Sequence, residues 1–158
     1  MAMDSLLAEV SRLHFPRPPA TPTQIAAFEA RVGWNLDADL RAFYLHCDGC
    51  TLFETLPDAK YRVLPLDEIQ RARRAIRGSE EEEDGASSHY TLVDMQDTNF
   101  VILDVAAAKN GRYPLFDAFH ETYPDEAPCI AESFEEFLEK ALRSGNRSFW
   151  LSSEPPEN

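Results

Sequence analysis

Apolar residues in the first third of the chain recur with the three- to four-residue spacing of amphipathic helices. The first such stripe comprises Met3, Leu6, Val10 and Leu13. Prolines within residues 15–19 disfavour helix and predict an extended linker. A second helix is expected to begin at Thr21, in a sequence typical of a capping box, and to end at Gly33. A third helix, capped by Asp37, is predicted to reach Cys47.

The pattern then changes to that of short β-strands. Strands are predicted at residues 52–53 and 61–64, with a turn at 56–58, followed by a fourth helix over residues 65–77. Residues 90–95 alternate between polar and apolar, and the apolar run 100–103 is typical of a central strand.

A further strand is predicted at residues 112–119, and Ser133 begins a closing helix that Gly145 ends. This order predicts an α+β protein, a single domain over residues 1–158. We expect an antiparallel sheet of about four to six strands, flanked by N-terminal helices and a C-terminal helix. The predicted core spans 21–144, with a short C-terminal tail at 152–158.

The net charge of −13 is distributed unevenly along the chain. Residues 1–79 contain ten acids and ten bases, whereas residues 80–158 contain eighteen acids and five bases. An acidic half repels nucleic acids and anionic membranes and attracts basic proteins. The alternative is that the acidity only maintains solubility.

The composition also indicates a cellular location. No apolar run approaches the roughly 20 residues of a membrane span, and the acids within the N-terminal pattern are unlike a secretory signal. Three cysteines are an odd number, which favours a reducing compartment over a disulfide framework. We therefore expect a cytoplasmic protein.

The stretch HCDGC, residues 46–50, contains a C-x-x-C pair that could indicate a redox or zinc site. The helical spacing places Cys47 at the negative end of a helix, where a thiolate is disfavoured. Zinc would need two more ligands at close spacing, and the remaining candidates form no second pair: Cys129 and the scattered His14, His46, His89 and His120. A small metal-dependent hydrolase thus remains a remote alternative, but the pattern favours structural roles for Cys47 and Cys50, with no metal or cofactor.

Most of residues 21–144 resembles the SUKH superfamily in the order and spacing of its motifs. The resemblance begins with an apolar–acidic pair, a glycine with an apolar neighbour, an aromatic pair and a helix-ending turn. These are Phe28-Glu29, Gly33-Trp34, Phe43-Tyr44 and Asp48-Gly49, followed by similar stretches at 63–69, 100–104 and 130–138. We expect structural roles for Gly33, Trp34, Leu40, Phe43, Tyr44, Gly49, Phe134 and Phe137.

The resemblance implies a protein-binding function without catalysis. The superfamily includes fungal cell-wall regulators of the Knr4 type and bacterial immunity proteins, which bind and neutralise a toxin that is often a nuclease. It therefore implies an immunity protein with a basic toxin domain as partner. The alternative is a regulatory scaffold of the same fold in a multiprotein assembly. We expect a monomer or a weak homodimer.

Acids on loops and strand ends of the second half are the candidate partner contacts, together with one tyrosine among them. The candidates are Glu80, Glu81, Glu82, Glu83, Asp84, Asp94, Asp97, Asp117, Glu121, Tyr123, Asp125 and Glu126. Residues 79–88 contain no apolar anchor, so they can equally be a mobile, solvated loop. Burial in the core is the alternative for Tyr123. The nearby arginines 71, 73, 74 and 77 are expected to face solvent or pair with the glutamates.

Overall fold

The computed structural model describes residues 2–55, 59–96 and 98–151, which fold as one α+β domain. The α-helices are α1 (Ala2–Leu13), α2 (Pro22–Val32), α3 (Ala38–His46), α4 (Ala72–Arg77) and α5 (Phe134–Leu142). The strands are β1 (Phe15–Pro16), β2 (Cys50–Thr51), β3 (Arg62–Val63), β4 (His89–Asp94), β5 (Phe100–Asp104), β6 (Leu115–Ala118) and β7 (Cys129–Ala131). Short 3₁₀ helices occupy Leu66–Glu68, Glu82–Asp84 and Phe149–Leu151.

The seven strands form one antiparallel sheet in which each strand pairs with the next along the chain. The α+β class and the antiparallel sheet are confirmed, with more strands than the predicted four to six. One additional strand is β1, which lies where the prolines predicted only a linker and pairs with β2. An edge strand tolerates proline because its outer N–H groups need no partner. The other is β7, which pairs with β6.

One face of the sheet packs against α1, α2, α3 and α5 and contains the main core. Side chains alternate along β5, so Val101 and Leu103 enter this core while Ile102 points to the opposite face. Phe43 on α3 and Phe134 on α5 meet edge to face over the sheet, with ring centroids 5.0 Å apart. The helices thereby cover the apolar residues of this face.

The opposite face of the sheet carries a second, smaller core. Ile102 and Ala118 of the sheet meet Ala72 of α4 and Tyr123 of the loop after β6. This arrangement places two loops on the same face of the sheet, the loop before β4 and the loop after β6.

The predicted fourth helix over residues 65–77 is wrong in its extent. It is divided into the 3₁₀ helix Leu66–Glu68 and α4, because Gln70 pairs with the sheet instead. The amide of Thr91 donates to the Gln70 carbonyl at 2.8 Å, and the Gln70 amide donates to the Thr91 hydroxyl at 3.2 Å. Strand-like pairing thus replaces one turn of the expected helix.

The predicted helix caps at Thr21, Asp37 and Ser133 are confirmed, since each side chain accepts a backbone N–H of the first turn. The 3₁₀ helix Phe149–Leu151 packs its aromatic rings on Tyr61 and Phe137. The predicted turn at 56–58 and the tail at 152–158 lie outside the described residues.

Candidate functional site

Two acidic stretches that are distant in the sequence lie side by side on the second face of the sheet. We call residues 80–84 the first acidic segment and residues 121–126 the second acidic segment. Tyr123 joins them: its hydroxyl oxygen lies beside Gly85, immediately after the first segment. Its backbone carbonyl accepts a hydrogen bond from the guanidinium of Arg77 at the end of α4. These contacts therefore bring the two acidic segments close to each other.

Arg73 fixes the first acidic segment to α4. Its Nη1 donates to the Gly85 carbonyl at 3.0 Å and to the Glu82 carboxylate at 3.2 Å. Its side chain is only 9% exposed, so its contact with the Gly85 carbonyl is made largely out of water. Arg74 pairs with Glu80 at 2.6 Å, and its hydrogen bond lowers the pKa of that carboxyl. Arg73 thus holds this segment by polar contacts, although the segment contains no apolar residue that could anchor it.

His89 supports the other side of Tyr123. The histidine Nδ1 lies 2.7 Å from the Tyr123 hydroxyl, and its Nε2 lies 3.6 Å from the carboxylate of Asp104 on β5. Burial lowers the pKa of His89, which opposes the charged form of the ring. Burial also raises the pKa of Tyr123 to about 12, so its hydroxyl keeps its proton. The pair is therefore a neutral hydrogen-bonded contact at neutral pH.

A serine, a histidine and an aspartate meet here, but not in the order of a catalytic triad. The Ser88 hydroxyl donates to Asp104 at 2.8 Å, and not to His89. A nucleophilic serine needs a base that accepts its proton. Asp104 also accepts the amide of Ala106 at 3.0 Å, as in a tight turn. The geometry of these residues therefore indicates a structural network.

The predicted contact residues fall into distinct groups. Glu80 and Glu82 pair with arginines of α4, and Asp94 lies 3.7 Å from Arg62. Glu121 lies 3.8 Å from the ring of His120, and Asp84 is half-buried. Four candidate acids are exposed and make no ion pair with a residue that the structure describes. We call these four the acidic surface: Glu81, Glu83, Asp125 and Glu126.

Three further candidate contacts also lie outside the acidic surface. Tyr123 is 1% exposed and belongs to the second core, which agrees with the alternative of core burial. Asp117 faces the helices: it pairs in register with Val101 of the main core. Its carboxylate accepts a hydrogen bond from Trp150, and burial raises its pKa. Asp97 lies outside the described residues.

The cysteines occupy the structural positions that the helical spacing predicted. Cys47 ends α3 and Cys50 begins β2, and both are buried. Their mutual hydrogen bond and burial raise the pKa of Cys50 well above its ordinary value, which favours the thiol. Cys129 is exposed, and His120 contacts Asn99 at 2.9 Å. Within residues 2–55, 59–96 and 98–151, no three metal-binding side chains come together.

A groove of about 590 Å³ lies beside the first acidic segment, on the same face of the sheet. It is bounded by the loop and helix between β3 and β4 and by the ends of β3, β4 and β5. Its polar lining has both signs of charge, with Arg62, Arg71 and Arg74 facing Asp94 and Glu80. This groove is a second polar surface, with a charge character different from that of the acidic surface.

The fold is that of a small α+β protein with an acidic surface on one face of its sheet. The network around His89 does not have the arrangement of a catalytic triad. The model of the SMI1/KNR4 family (SUKH-1) matches residues 19–140, and the chain belongs to this family. A comparison with curated proteins found no match. Among the described residues, no helix is long and apolar enough to cross a membrane.

The residues that carried the sequence resemblance have structural roles in the domain. Glu29 accepts the amide of Leu36 at 2.9 Å and so fixes the connection between α2 and α3. Tyr44 is buried and donates its hydroxyl hydrogen to the Leu64 carbonyl at 2.6 Å. Asp48 accepts the amide of Leu66 at 2.9 Å. These motifs therefore specify the frame of the fold, whereas the acidic surface lies outside them.

Sequence reasoning did not identify His89, Asp104 and Arg73 as parts of the site. His89 and Asp104 are adjacent only through the register of β4 on β5. Arg73 was recognised only as one of four arginines, and its burial was not foreseen. A polar residue in each of two strands is a weak signal, because strands commonly carry polar residues on one face.

Proposed function

We propose that this protein is a non-catalytic binding module, an immunity protein that neutralises a basic toxin in the cytoplasm. A nuclease is the toxin class that fits best, because a nuclease presents a basic surface to its substrate. The observation that carries the proposal is the union of the two acidic segments into one acidic surface around Tyr123.

The charge pattern supports a protein partner with a basic face. The two acidic segments contain eight acids. The nearby α4, together with the residue before it, contains four arginines. Those arginines are engaged with Glu80, Glu82 and backbone carbonyls, which leaves the acidic surface uncompensated. An uncompensated acidic field speeds association with a basic partner by about 10- to 1,000-fold. The same field opposes binding to nucleic acids and anionic membranes.

The anchoring of the first acidic segment supports a binding role rather than simple solubility. Solubility needs only dispersed charge, whereas the first acidic segment is held by a buried arginine and by Tyr123. A surface that is ordered before binding loses less conformational entropy on association. The module is proposed to act as a monomer or a weak homodimer.

Capture from the cells that produce the protein tests this proposal. A tagged chain is incubated with extract at low and at high salt, and the bound proteins are identified by mass spectrometry. We expect a single basic protein that is bound at low salt and released at high salt. Purified partner is then assayed for toxin activity, such as nucleic-acid cleavage, with and without the protein. A partner that is not basic, or that keeps full activity when bound, would contradict the proposal.

A regulatory scaffold of the same family is the second candidate. The observation that favours it is the mixed-charge groove beside the acidic surface, since two polar surfaces of different character can bind two partners at once. Capture of a large assembly whose composition does not change with salt would support the scaffold over the immunity protein.

A further inference from the structure

The side chain of Tyr123 lies between the two acidic segments and helps to set their relative position. Tyr123 belongs to the second segment, and its hydroxyl reaches both Gly85 and the ring of His89. His89 itself sits on β4, at a fixed position in the sheet. We infer that His89 is the positioning residue of the acidic surface: its neutral ring accepts the Tyr123 hydroxyl hydrogen, and its protonation reverses that hydrogen bond and loosens the contact. This inference rests on the proposed function.

The geometry gives the neutral ring a definite role. With Nε2 protonated and turned towards Asp104 at 3.6 Å, the Nδ1 lone pair accepts the Tyr123 hydroxyl hydrogen at 2.7 Å. The ring of His89 stacks on Phe116, with centroids 6.4 Å apart and planes 23° apart, so its rotation is restricted. The two nitrogens therefore keep their separate partners.

Protonation reverses the direction of this hydrogen bond. A charged imidazolium has N–H groups on both nitrogens, so Nδ1 then donates and the Tyr123 oxygen must accept. The hydroxyl hydrogen must then turn away from the ring of His89. The Tyr123 hydroxyl therefore donates to His89 only while the ring is neutral.

The groups around His89 favour opposite protonation states. Asp104 on β5 and Glu82 in the first segment favour the charged ring, whereas burial among Tyr123 and Phe116 opposes it. Arg73 of α4, which acts on Tyr123, adds a further positive charge nearby. Burial is the largest of the effects on His89, and it lowers the pKa of the ring. Acidification therefore protonates His89 and thereby weakens its contact with Tyr123.

Hydrogen exchange in the free protein tests the inference without a partner. The informative amides are those of Asp84 and Gly85, which donate to Glu81 and Glu82 at 3.0 and 3.1 Å, and that of Glu126. Exchange is measured between about pH 5 and about pH 7.5, the range in which histidine changes its charge. After correction for intrinsic rates, we expect acidification to speed exchange about fivefold, the factor carried by one hydrogen bond.

Three variants separate positioning from general stability. His89→Asn replaces Nδ1 with an acceptor that does not titrate, so exchange should stay slow at both ends of the pH range. Tyr123→Phe removes the hydroxyl, so exchange should be about fivefold faster at every pH. Tyr113→Phe is the matched control, because it removes a hydroxyl that donates to the Asn35 carbonyl at 2.6 Å, outside this network. It should keep the wild-type pH profile.

The results distinguish this inference from the proposed function. A wild-type profile without acid-dependent exchange, or an equal acceleration in His89→Asn, overturns the inference whatever partner is captured. Acid-dependent exchange that is lost in His89→Asn and kept in Tyr113→Phe supports it, even where capture yields no basic protein. Failure to capture a basic protein would count against the proposed function alone.

Discussion

The Tyr123 hydroxyl lies so close to Gly85 that no side chain fits between them. A Cβ atom on residue 85 would be 2.5 Å from the Tyr123 oxygen and 2.8 Å from its ring. Gly85 also has φ 141°, a conformation that residues with a Cβ rarely adopt. The contact between the acidic segments therefore depends on a glycine at this position.

Gly85→Ala should lower the free energy of unfolding by about 3 kcal/mol, since it adds a clash to backbone strain. Urea denaturation monitored by tryptophan fluorescence measures the loss. Gly111→Ala is the matched control: residue 111 also has positive φ, 74°, but nothing lies within 4 Å of its Cβ position. The control should lose only about 1 kcal/mol. Equal losses in the two variants would show that the Tyr123 contact does not matter.

Gly49→Ala should lower the free energy of unfolding at least as much as Gly85→Ala does. Its Cβ would clash with backbone atoms, which cannot move away as a side chain can. The Cβ position lies 2.7 Å from the Val63 carbonyl oxygen and 2.9 Å from the Pro65 nitrogen. We expect a loss of about 3 kcal/mol or more in the free energy of unfolding, or failure to fold. A variant that unfolds within about 1 kcal/mol of wild type would contradict this close approach.

Trp34 combines good packing with an unsatisfied donor. Its ring meets Phe28, Tyr90 and Tyr113 at centroid distances of 5.4, 5.2 and 5.6 Å, but its buried Nε1 has no hydrogen-bond partner among the described residues. Trp34→Ala should cost about 3–5 kcal/mol. Trp34→Phe should cost about 1 kcal/mol or less, because removing an unsatisfied donor offsets the lost contacts.

The indole of Trp150 provides the control for this comparison, since its N–H donates to Asp117. Trp150→Phe removes a satisfied donor and should therefore destabilise the protein more than Trp34→Phe does. Urea denaturation of both variants, monitored by circular dichroism, measures the difference. The reverse order would indicate that the Trp34 donor is satisfied.

Asp117→Asn should stabilise the protein at neutral pH. Burial raises the pKa of Asp117 above 3.8, so its protonated form is favoured in the folded state. In the wild type, Asp117 makes its full contribution to the stability of the fold below about pH 3.8. That contribution is lost as the pH rises through the raised pKa of this carboxyl. An asparagine keeps an acceptor for Trp150 without the buried charge. The advantage of the variant over wild type should therefore shrink as the pH falls from 7 towards 4.

Urea titrations at several pH values measure that difference directly. Glu139→Gln is the control, because Glu139 is an exposed acid of α5. Its difference from wild type should change little with pH. A pH-independent effect of Asp117→Asn would contradict the burial of this carboxyl group.

The sequence predicted those parts of the fold that depend on local patterns. The caps at Thr21 and Asp37, and the central strand β5, follow from signals within a few residues. The missed strands β1 and β7 are two and three residues long and exist only through their partners. Gln70 likewise leaves the helical pattern because Thr91 offers it strand-like hydrogen bonds.

The candidate site was predictable in composition but not in arrangement. The excess of acids was visible in the sequence, whereas the union of the two segments depends on Tyr123, which the charge pattern assigned to the surface. Asp117 was misplaced because its face of the sheet is set by the register of β6 on β5. A shift of one residue in that register would have turned its side chain to the opposite face of the sheet.

The central claim is that the acidic surface binds a basic partner, and one comparison of three proteins tests it most directly. The wild type is compared with a variant of the acidic surface, Glu81→Gln, Glu83→Gln, Asp125→Asn and Glu126→Gln. The control removes four other exposed acids, Asp4→Asn, Glu54→Gln, Glu132→Gln and Glu139→Gln, so the net charge is the same. Association rates with the captured partner are measured by surface plasmon resonance at low salt.

We predict that the acidic-surface variant associates at least about tenfold more slowly than wild type and that its rate depends less on salt. The control should stay close to the wild-type rate, because its four charges lie outside the acidic surface. Equal slowing of the two variants would contradict the claim, since net charge alone would then explain binding. So would a wild-type rate in the acidic-surface variant.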